Sequence, residues 1–258
     1  MIRMTGVSHA FESRGGTVEA LHGIDLDLAE GEFVAVVGRS GCGKSTLLRL
    51  VSGLITPSSG QIVVDGTLVT RPRRDLAMVF QRPALFPWRT VLDNVLLPVE
   101  MFGWRRSGHR ARAYELLELV GLAGFERKLP HELSGGMQQR VALCRSLLPQ
   151  PRAMLMDEPF SALDALTREE LSFQLQRIHM EHRTTILFVT HSIDEAILLA
   201  DRVVVLTPRP GQVRKILNVD IPRPRTLGRT AHLEDVARIS AELHELLLPP
   251  GGTGRLHS

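Results

Sequence analysis

The sequence predicts an α/β fold: a mostly parallel sheet with an N-terminal antiparallel β subdomain and an inserted helical subdomain. Three observations predict it. Apolar runs at 33–37, 153–156 and 185–189 lack alternation and read as strands buried on both faces. Each is followed by a stripe at helical spacing: Leu47, Leu48, Val51 and Leu54 after the first, Leu171, Leu175 and Ile178 after the second, and Ile193, Ala196, Ile197 and Ala200 after the third. Finally, the stretches 7–11 and 24–28 alternate apolar with polar, the pattern of antiparallel strands with one exposed face.

Taken in order, the antiparallel strands come first, and Phe11 lies upstream of the core, where its ring either stacks on a base or packs as plain core. After the first helix, Pro57-Ser58-Ser59-Gly60 is a turn, and 61–65 with Gly66 a strand and hairpin return. Arg71 to Arg74 is a basic loop, and 76–80 a further buried strand ending at Gln81. From about Pro83 to Gln150 the character is helical: Ala113, Leu116, Leu117 and Val120 form an amphipathic stripe closed by Gly121. A last strand is expected at 202–207, then a turn at 208–211. The remaining C-terminal extension, 208–258, contains one helix at 234–247 and is too short for another domain.

Between the first buried strand and its helix lies Gly38-Arg39-Ser40-Gly41-Cys42-Gly43-Lys44-Ser45-Thr46, which fits G-x-x-x-x-G-K-[ST] at every fixed position. Glycines let successive backbone N–H groups turn toward phosphate oxygens, and the following helix presents its positive end. Lys44, expected to be an exposed loop residue, would reach the terminal phosphates, and the Ser45 hydroxyl would ligand Mg²⁺. The strand at 153–156 runs into Asp157 and Glu158, acids that burial alone does not explain. Asp157 is placed to hold Mg²⁺ directly or through water, and Glu158 to polarise an attacking water. His191 ends the strand at 185–190, at the carboxyl edge where open α/β sheets bind ligands. The other histidines, His179 and His182 among them, are expected at the surface. Ser134, Gly135 and Gly136 open a helix, as a second anion-binding terminus or as an ordinary cap.

With 258 residues, 43% of them hydrophobic, the chain can build a substantial core. No apolar run approaches the roughly 20 residues of a membrane span. No secretion signal opens the chain, so a cytoplasmic location is expected. The two cysteines, Cys42 and Cys144, give neither a disulfide framework nor metal spacing, and the net charge of +3 has no aromatic-interleaved basic run that would indicate nucleic acid.

Together these residues resemble the ATP-binding cassette subunits of ABC transporters, a P-loop NTPase family, over nearly the whole chain. The resemblance implies that Gly38 to Thr46 is the Walker A loop, Gln81 the Q-loop glutamine that also reaches the metal, and Ser134, Gly135 and Gly136 the signature motif. It makes Asp157 and Glu158 the end of Walker B with its catalytic glutamate, Asp164 part of the D-loop, His191 the switch histidine and Phe11 the adenine-stacking aromatic. Met137 departs from the commonest signature, which has glutamine there. Residues 85–95 and 194–211 resemble the cassettes of nitrate, taurine and sulfonate importers. The resemblance therefore implies ATP and Mg²⁺ as cofactors and a head-to-tail homodimer of cassettes. It also implies a membrane permease at the cytoplasmic face, an extracytoplasmic solute-binding protein, and no nucleic acid. The rival reading is a soluble cassette ATPase acting on ribosomes or DNA, but such proteins usually fuse two cassettes or carry a coiled-coil insertion, and one phosphate loop without sustained heptads disfavours that reading. Leu85, Phe86, Pro87 and Trp88 form either a docking patch for the permease or a cover for the subdomain's own core.

Overall fold

The computed structural model describes residues 1–13, 16–226 and 232–248. Strands β1 (Ile2–Ser13) and β2 (Gly16–Leu28) pair antiparallel, and β3 (Phe33–Val37) enters the core before helix α1 (Lys44–Val51). The hairpin of β4 (Ser59–Val64) and β5 (Thr67–Leu68) extends the first sheet to the order β2-β1-β4-β5. After β6 (Leu76–Val79) come the helices α2 (Val91–Val95), α3 (Leu97–Met101), α4 (Ser107–Leu119) and α5 (Gly135–Leu147). The core then resumes with β7 (Ala153–Asp157), α6 (Ala165–His182), β8 (Thr185–Val189), α7 (Ile193–Leu199), β9 (Arg202–Leu206), β10 (Val213–Asn218) and α8 (Leu233–Leu247).

The second sheet has the order β10-β9-β3-β8-β7-β6, parallel throughout except for the antiparallel β9–β10 pair. Period-two alternation divides its side chains between two apolar layers. Phe33, Ala35, Met154, Met156, Ile186, Phe188, Val203 and Val205 face the helices, and Val34, Val36, Leu155, Leu187, Val189 and Val204 face α1 and the antiparallel sheet. The central strands are buried on both faces, so they carry no polar alternation.

Three expectations are corrected. The strand at 202–206 is not the last: β10 pairs beyond it, with only Leu217 buried and Arg214 and Lys215 exposed, an edge strand without an apolar run. At the other edge, β6 is only half-buried, with Val79 alone in the core. His179 is not a surface residue. It stands one helical turn after Leu175, its ring meets Phe33 edge-on at 5.3 Å, and its Nδ1 lies 3.1 Å from the Thr184 carbonyl. Burial holds its pKa below the ordinary histidine value.

The C-terminal stretch is tied to this core. Ile239 and Leu243 of α8 are buried in the helical-side layer. Buried Arg225 donates to the carbonyls of Ile197, Ala200, Val219 and Ile221, holding the end of α7, and burial pushes its pKa down to about 10. Residues 227–231 and 249–258 of the predicted extension lie outside the described residues.

Candidate functional site

The phosphate loop spans the gap between the buried end of β3 and α1, and its glycines are there for steric reasons. Gly43 caps α1 at φ 102°, and a Cβ on it would lie 2.5 Å from Leu21 Cδ2 and 2.8 Å from the Ala20 carbonyl. Gly41 takes φ 77°, and a Cβ on Gly38 would meet Cys42 Sγ at 2.6 Å. Ser40, Gly41, Gly43, Lys44, Ser45 and Thr46 line an open cleft of about 270 Å³ that also takes in Phe11, Val18, Ala20, Glu158 and Arg209. Phe11 is 40% exposed at one side of this cleft, its ring edge-on to His9, so it is not plain core. Cys42 is buried beneath the loop, and burial raises its thiol pKa.

Lys44 departs from expectation, since it is only 6% exposed. Its Nζ donates to the carbonyls of Gly38 at 2.8 Å and Arg39 at 3.3 Å and lies 3.9 Å from Glu158 Oε1. The loop has folded around its own lysine, which points the ammonium along the loop backbone.

Both acids arrive at the carboxyl end of β7, and His191 follows the neighbouring strand β8. Ser45 Oγ donates to Asp157 Oδ1 at 2.9 Å, and burial raises the Asp157 pKa against that hydrogen bond. Glu158 turns off the strand at φ 45°, its N–H donating to the Val189 carbonyl at 2.9 Å, and its Oε2 lies 3.1 Å from His191 Nδ1. Gln81, leaving the neighbouring strand β6, donates through Nε2 to Ser161 Oγ at 2.9 Å, and that hydroxyl donates to the Glu158 carbonyl at 3.0 Å. One sheet edge thus gathers a lysine, two acids, a histidine and an amide around the loop. The arrangement can hold a polyphosphate by its N–H groups and lysine, and can take a proton at Glu158.

A second group of motif residues stands apart from that cleft. Ser134 caps α5, its hydroxyl accepting from the Met137 N–H at 3.2 Å, and Ser134 and Gly135 are exposed. Asp164 caps α6, accepting from Thr167 N at 3.0 Å and Thr167 Oγ1 at 2.7 Å, and the Thr167 N–H holds its carboxyl below the usual range. None of Ser134, Gly135, Gly136 and Asp164 lines the cleft. Gly136 is buried, and a Cβ there would fall 2.4 Å from Thr167 Cγ2. Gly136→Ala is therefore expected to cost about 1–3 kcal/mol by overpacking, read as a lower melting temperature. Adding Thr167→Ser, which removes that methyl and keeps the hydroxyl on Asp164, should restore it. No recovery would mean that Gly136 is required for something other than this contact.

Sequence reasoning missed two residues. Buried Glu195 accepts from Thr190 Oγ1 at 2.5 Å, and its Oε1 lies 3.7 Å from Arg168 Nε, with burial raising its pKa. It thereby braces the strand end that carries His191. Its i, i+4 relation to His191 was the available signal, but Glu195 turns to Thr190 and Arg168 while His191 Nδ1 meets Glu158, and among the described residues no group of three or more His, Cys, Asp or Glu side chains could hold a metal ion. Arg209, in the turn after β9, reaches the phosphate loop, and nothing in its local sequence signals that. A larger cleft, about 400 Å³, is lined by Arg112, Leu147, Gln150, Pro151, His182 and Thr184 and contains none of the motif residues.

The family model described as ABC transporter matches residues 21–161. The nitrate import ATP-binding protein of Synechococcus elongatus is 50% identical over 228 residues, which cover 86% of this chain and 35% of that protein. The aliphatic sulfonates import ATP-binding protein of Bacillus cereus is 42% identical over 225 residues, covering 87% of this chain and 88% of the relative. A solved dimeric, post-hydrolysis structure of an ATP-binding cassette bound to ADP and Pi is 33% identical, with a TM-score of 0.77, and covers 86% of this chain and all of that one. The chain belongs to the ABC transporter family as its ATP-binding, ATP-hydrolysing cassette.

Proposed function

We propose that the chain is the ATPase subunit of an importer in which two copies face each other head to tail, with ATP between Lys44 of one and Ser134 and Gly136 of the other. The observation that carries this reading is the division of the motif residues into two groups: a cleft around Lys44 and Glu158, and the exposed caps Ser134 and Asp164 outside it. A second copy would bring its caps to the open side of the cleft, and the dimeric cassette with ADP and Pi supports that arrangement. The names of the nitrate and sulfonate relatives support import over an action on ribosomes or DNA, and a small anionic solute such as nitrate, taurine or a sulfonate as cargo.

Ser45 Oγ and Asp157 Oδ1, two hard oxygens 2.9 Å apart beside the loop, fit a Mg²⁺ ion, and burial raises the Asp157 pKa, a cost to its carboxylate that a bound cation would offset. Bound there, the ion would supply charge to offset the phosphate oxygens. Gln81, proposed as a further metal contact, is held by Ser161 in this arrangement. Glu158 would take the proton of the attacking water, with His191 at its other oxygen fixing the carboxylate. Closure and reopening would move the permease at the cytoplasmic face of the membrane, supplied by an extracytoplasmic solute-binding protein. No helix among the described residues is long and apolar enough to cross a membrane.

The docking face follows Gln81. Buried Asn94 ties the 86–90 loop, accepting from the Phe86 N–H and donating to the carbonyls of Phe86, Arg89 and Thr90. Leu85 packs against the core, Phe86 is half-buried, and Trp88 stands 72% exposed with its ring 5.1 Å from that of Phe86. The two sequence readings thus divide within one loop: Leu85 covers core and Trp88 is free to dock. Trp88→Ser is expected to lower recovery of the permease with the tagged cassette from membranes by at least tenfold, with melting temperature and ATP binding unchanged. Undiminished recovery would place the docking face elsewhere, and a cassette that brings down no membrane protein in either form would count against the importer reading.

A further inference from the structure

The turn between β9 and β10 is folded onto the phosphate loop. Thr207 Oγ1 donates to the Pro210 carbonyl at 3.1 Å and accepts from the Gln212 N–H at 2.9 Å, closing the turn on itself. Gly211 donates to the Ala20 carbonyl at 2.9 Å and accepts from the His22 N–H at 3.0 Å, tying the turn to β2. A Cβ on Gly211 would fall 2.1 Å from the Cys42 carbonyl, so the turn backbone lies directly against the loop and tolerates no side chain at that position. Residues 207–212 are therefore positioned by contacts with both walls of the cleft.

Arg209 projects from this turn into the same cleft as Lys44. Its Nε donates to the Gly41 carbonyl at 3.1 Å, and its Nη2 lies 3.4 Å from where a Gly41 Cβ would be. Among the described residues no carboxylate pairs with it, and the other guanidinium N–H groups have no acceptor. The cleft lining holds two cations, Lys44 and Arg209, against one carboxylate, Glu158. Lys44 already spends two of its donors on Gly38 and Arg39. An arginine docked by one N–H, with a fork of donors left over in an open cleft, has the geometry for an oxyanion.

We propose that Arg209 binds the phosphate chain of the nucleotide, as a second cation at the loop alongside Lys44. The proposal rests on the reading of this cleft as the nucleotide site. Fixed to Gly41 by Nε, the guanidinium presents Nη1 and Nη2 to phosphate oxygens without losing its hold on the loop. The turn is part of the site, so the C-terminal half of the chain contributes to a pocket otherwise made by its first half and by Glu158.

The test compares MgATP and AMP binding to the full chain by titration calorimetry in the parent, Arg209→Ala, Arg209→Lys and Lys44→Ala. Arg209→Ala should weaken MgATP binding on the order of tenfold, the worth of one charge-assisted hydrogen bond, and lower the preference for ATP over AMP by a similar factor. Arg209→Lys should recover part of the loss, and the melting temperature without nucleotide should stay within a degree or so of the parent, because only one exposed hydrogen bond is removed. Parental ATP affinity in Arg209→Ala alongside lost affinity in Lys44→Ala would overturn the Arg209 proposal while keeping the site. Parental affinity in both variants would overturn the site itself. An equal loss for ATP and AMP, or a lowered melting temperature without nucleotide, would assign Arg209 to the shape of the turn and overturn its phosphate role.

Discussion

Replacing Glu158 by glutamine is expected to stop hydrolysis and to turn the isolated chain into a dimer that forms only when ATP and Mg²⁺ are present. The side chain keeps its size and its position off β7, where the N–H donates to Val189 and φ is 45°, a conformation equally strained for either residue. The melting temperature without nucleotide should therefore be close to that of the parent. What is lost is the capacity to accept a proton, worth about 10²-fold or more in rate. Lost too is the negative charge between Lys44, at 3.9 Å, and His191, at 3.1 Å. With that charge removed the cleft becomes more positive, so ATP binding should hold or strengthen while turnover stalls. If Ser134 and Gly136 of a second copy complete the site, bound ATP will hold the two copies together, since a ligand that binds only the closed pair stabilises it by mass action. Gel filtration with and without ATP, together with phosphate release, checks both parts. Hydrolysis at the parental rate would remove Glu158 from the role of base. A stalled enzyme that stays monomeric at high concentration would leave Glu158 in place and withdraw the head-to-tail arrangement.

The parts of this site that the sequence makes legible are those fixed by short-range pattern. The phosphate loop is read from glycines whose missing side chains the structure explains, Gly43 against Leu21 and Gly38 against Cys42. Asp157, Glu158 and His191 are read from their position, because a polar residue ending a run buried on both faces must lie at the sheet edge. Other features depend on contacts between distant segments and leave no local trace. Arg209 reaches Gly41 only because the turn packs against Cys42 and β2. Glu195 is buried because Thr190 and Arg168 meet it there. Strand β10 was missed for a different reason: as an edge strand it buries Leu217 alone, and its pattern resembles a polar loop. His179 shows the same limit in a helix, since a single histidine at a core position looks like any other until Phe33 is placed against it.

Lys44→Ala is expected to abolish nucleotide turnover, and the burial of this lysine changes what else the variant should show. Were the side chain exposed, truncation would leave the fold untouched. At 6% exposure, with Nζ bonded to the Gly38 and Arg39 carbonyls, its removal leaves two acceptors without their donor and a small void under the loop. A lost partner at a buried acceptor costs about 1–3 kcal/mol, a cost carried by the Gly38 carbonyl, since Gly38 is buried while Arg39 is exposed. For a chain of this size that is a fall of about 2–4 °C in melting temperature for each kcal/mol. The nucleotide response separates this effect from loss of function. A ligand at a hundredfold excess over its dissociation constant stabilises the parent by about 2.7 kcal/mol, so the parent should gain several degrees with MgATP and the variant almost none. Lys44→Met supplies the control, because it refills the space without the charge: its melting temperature should return toward the parent, and its ATPase activity should remain absent. Near-parental turnover in either variant would remove the phosphate-loop lysine from the chemistry. A variant whose turnover and melting temperature both recovered in Lys44→Met would show that packing, and not charge on the phosphates, is what Lys44 contributes.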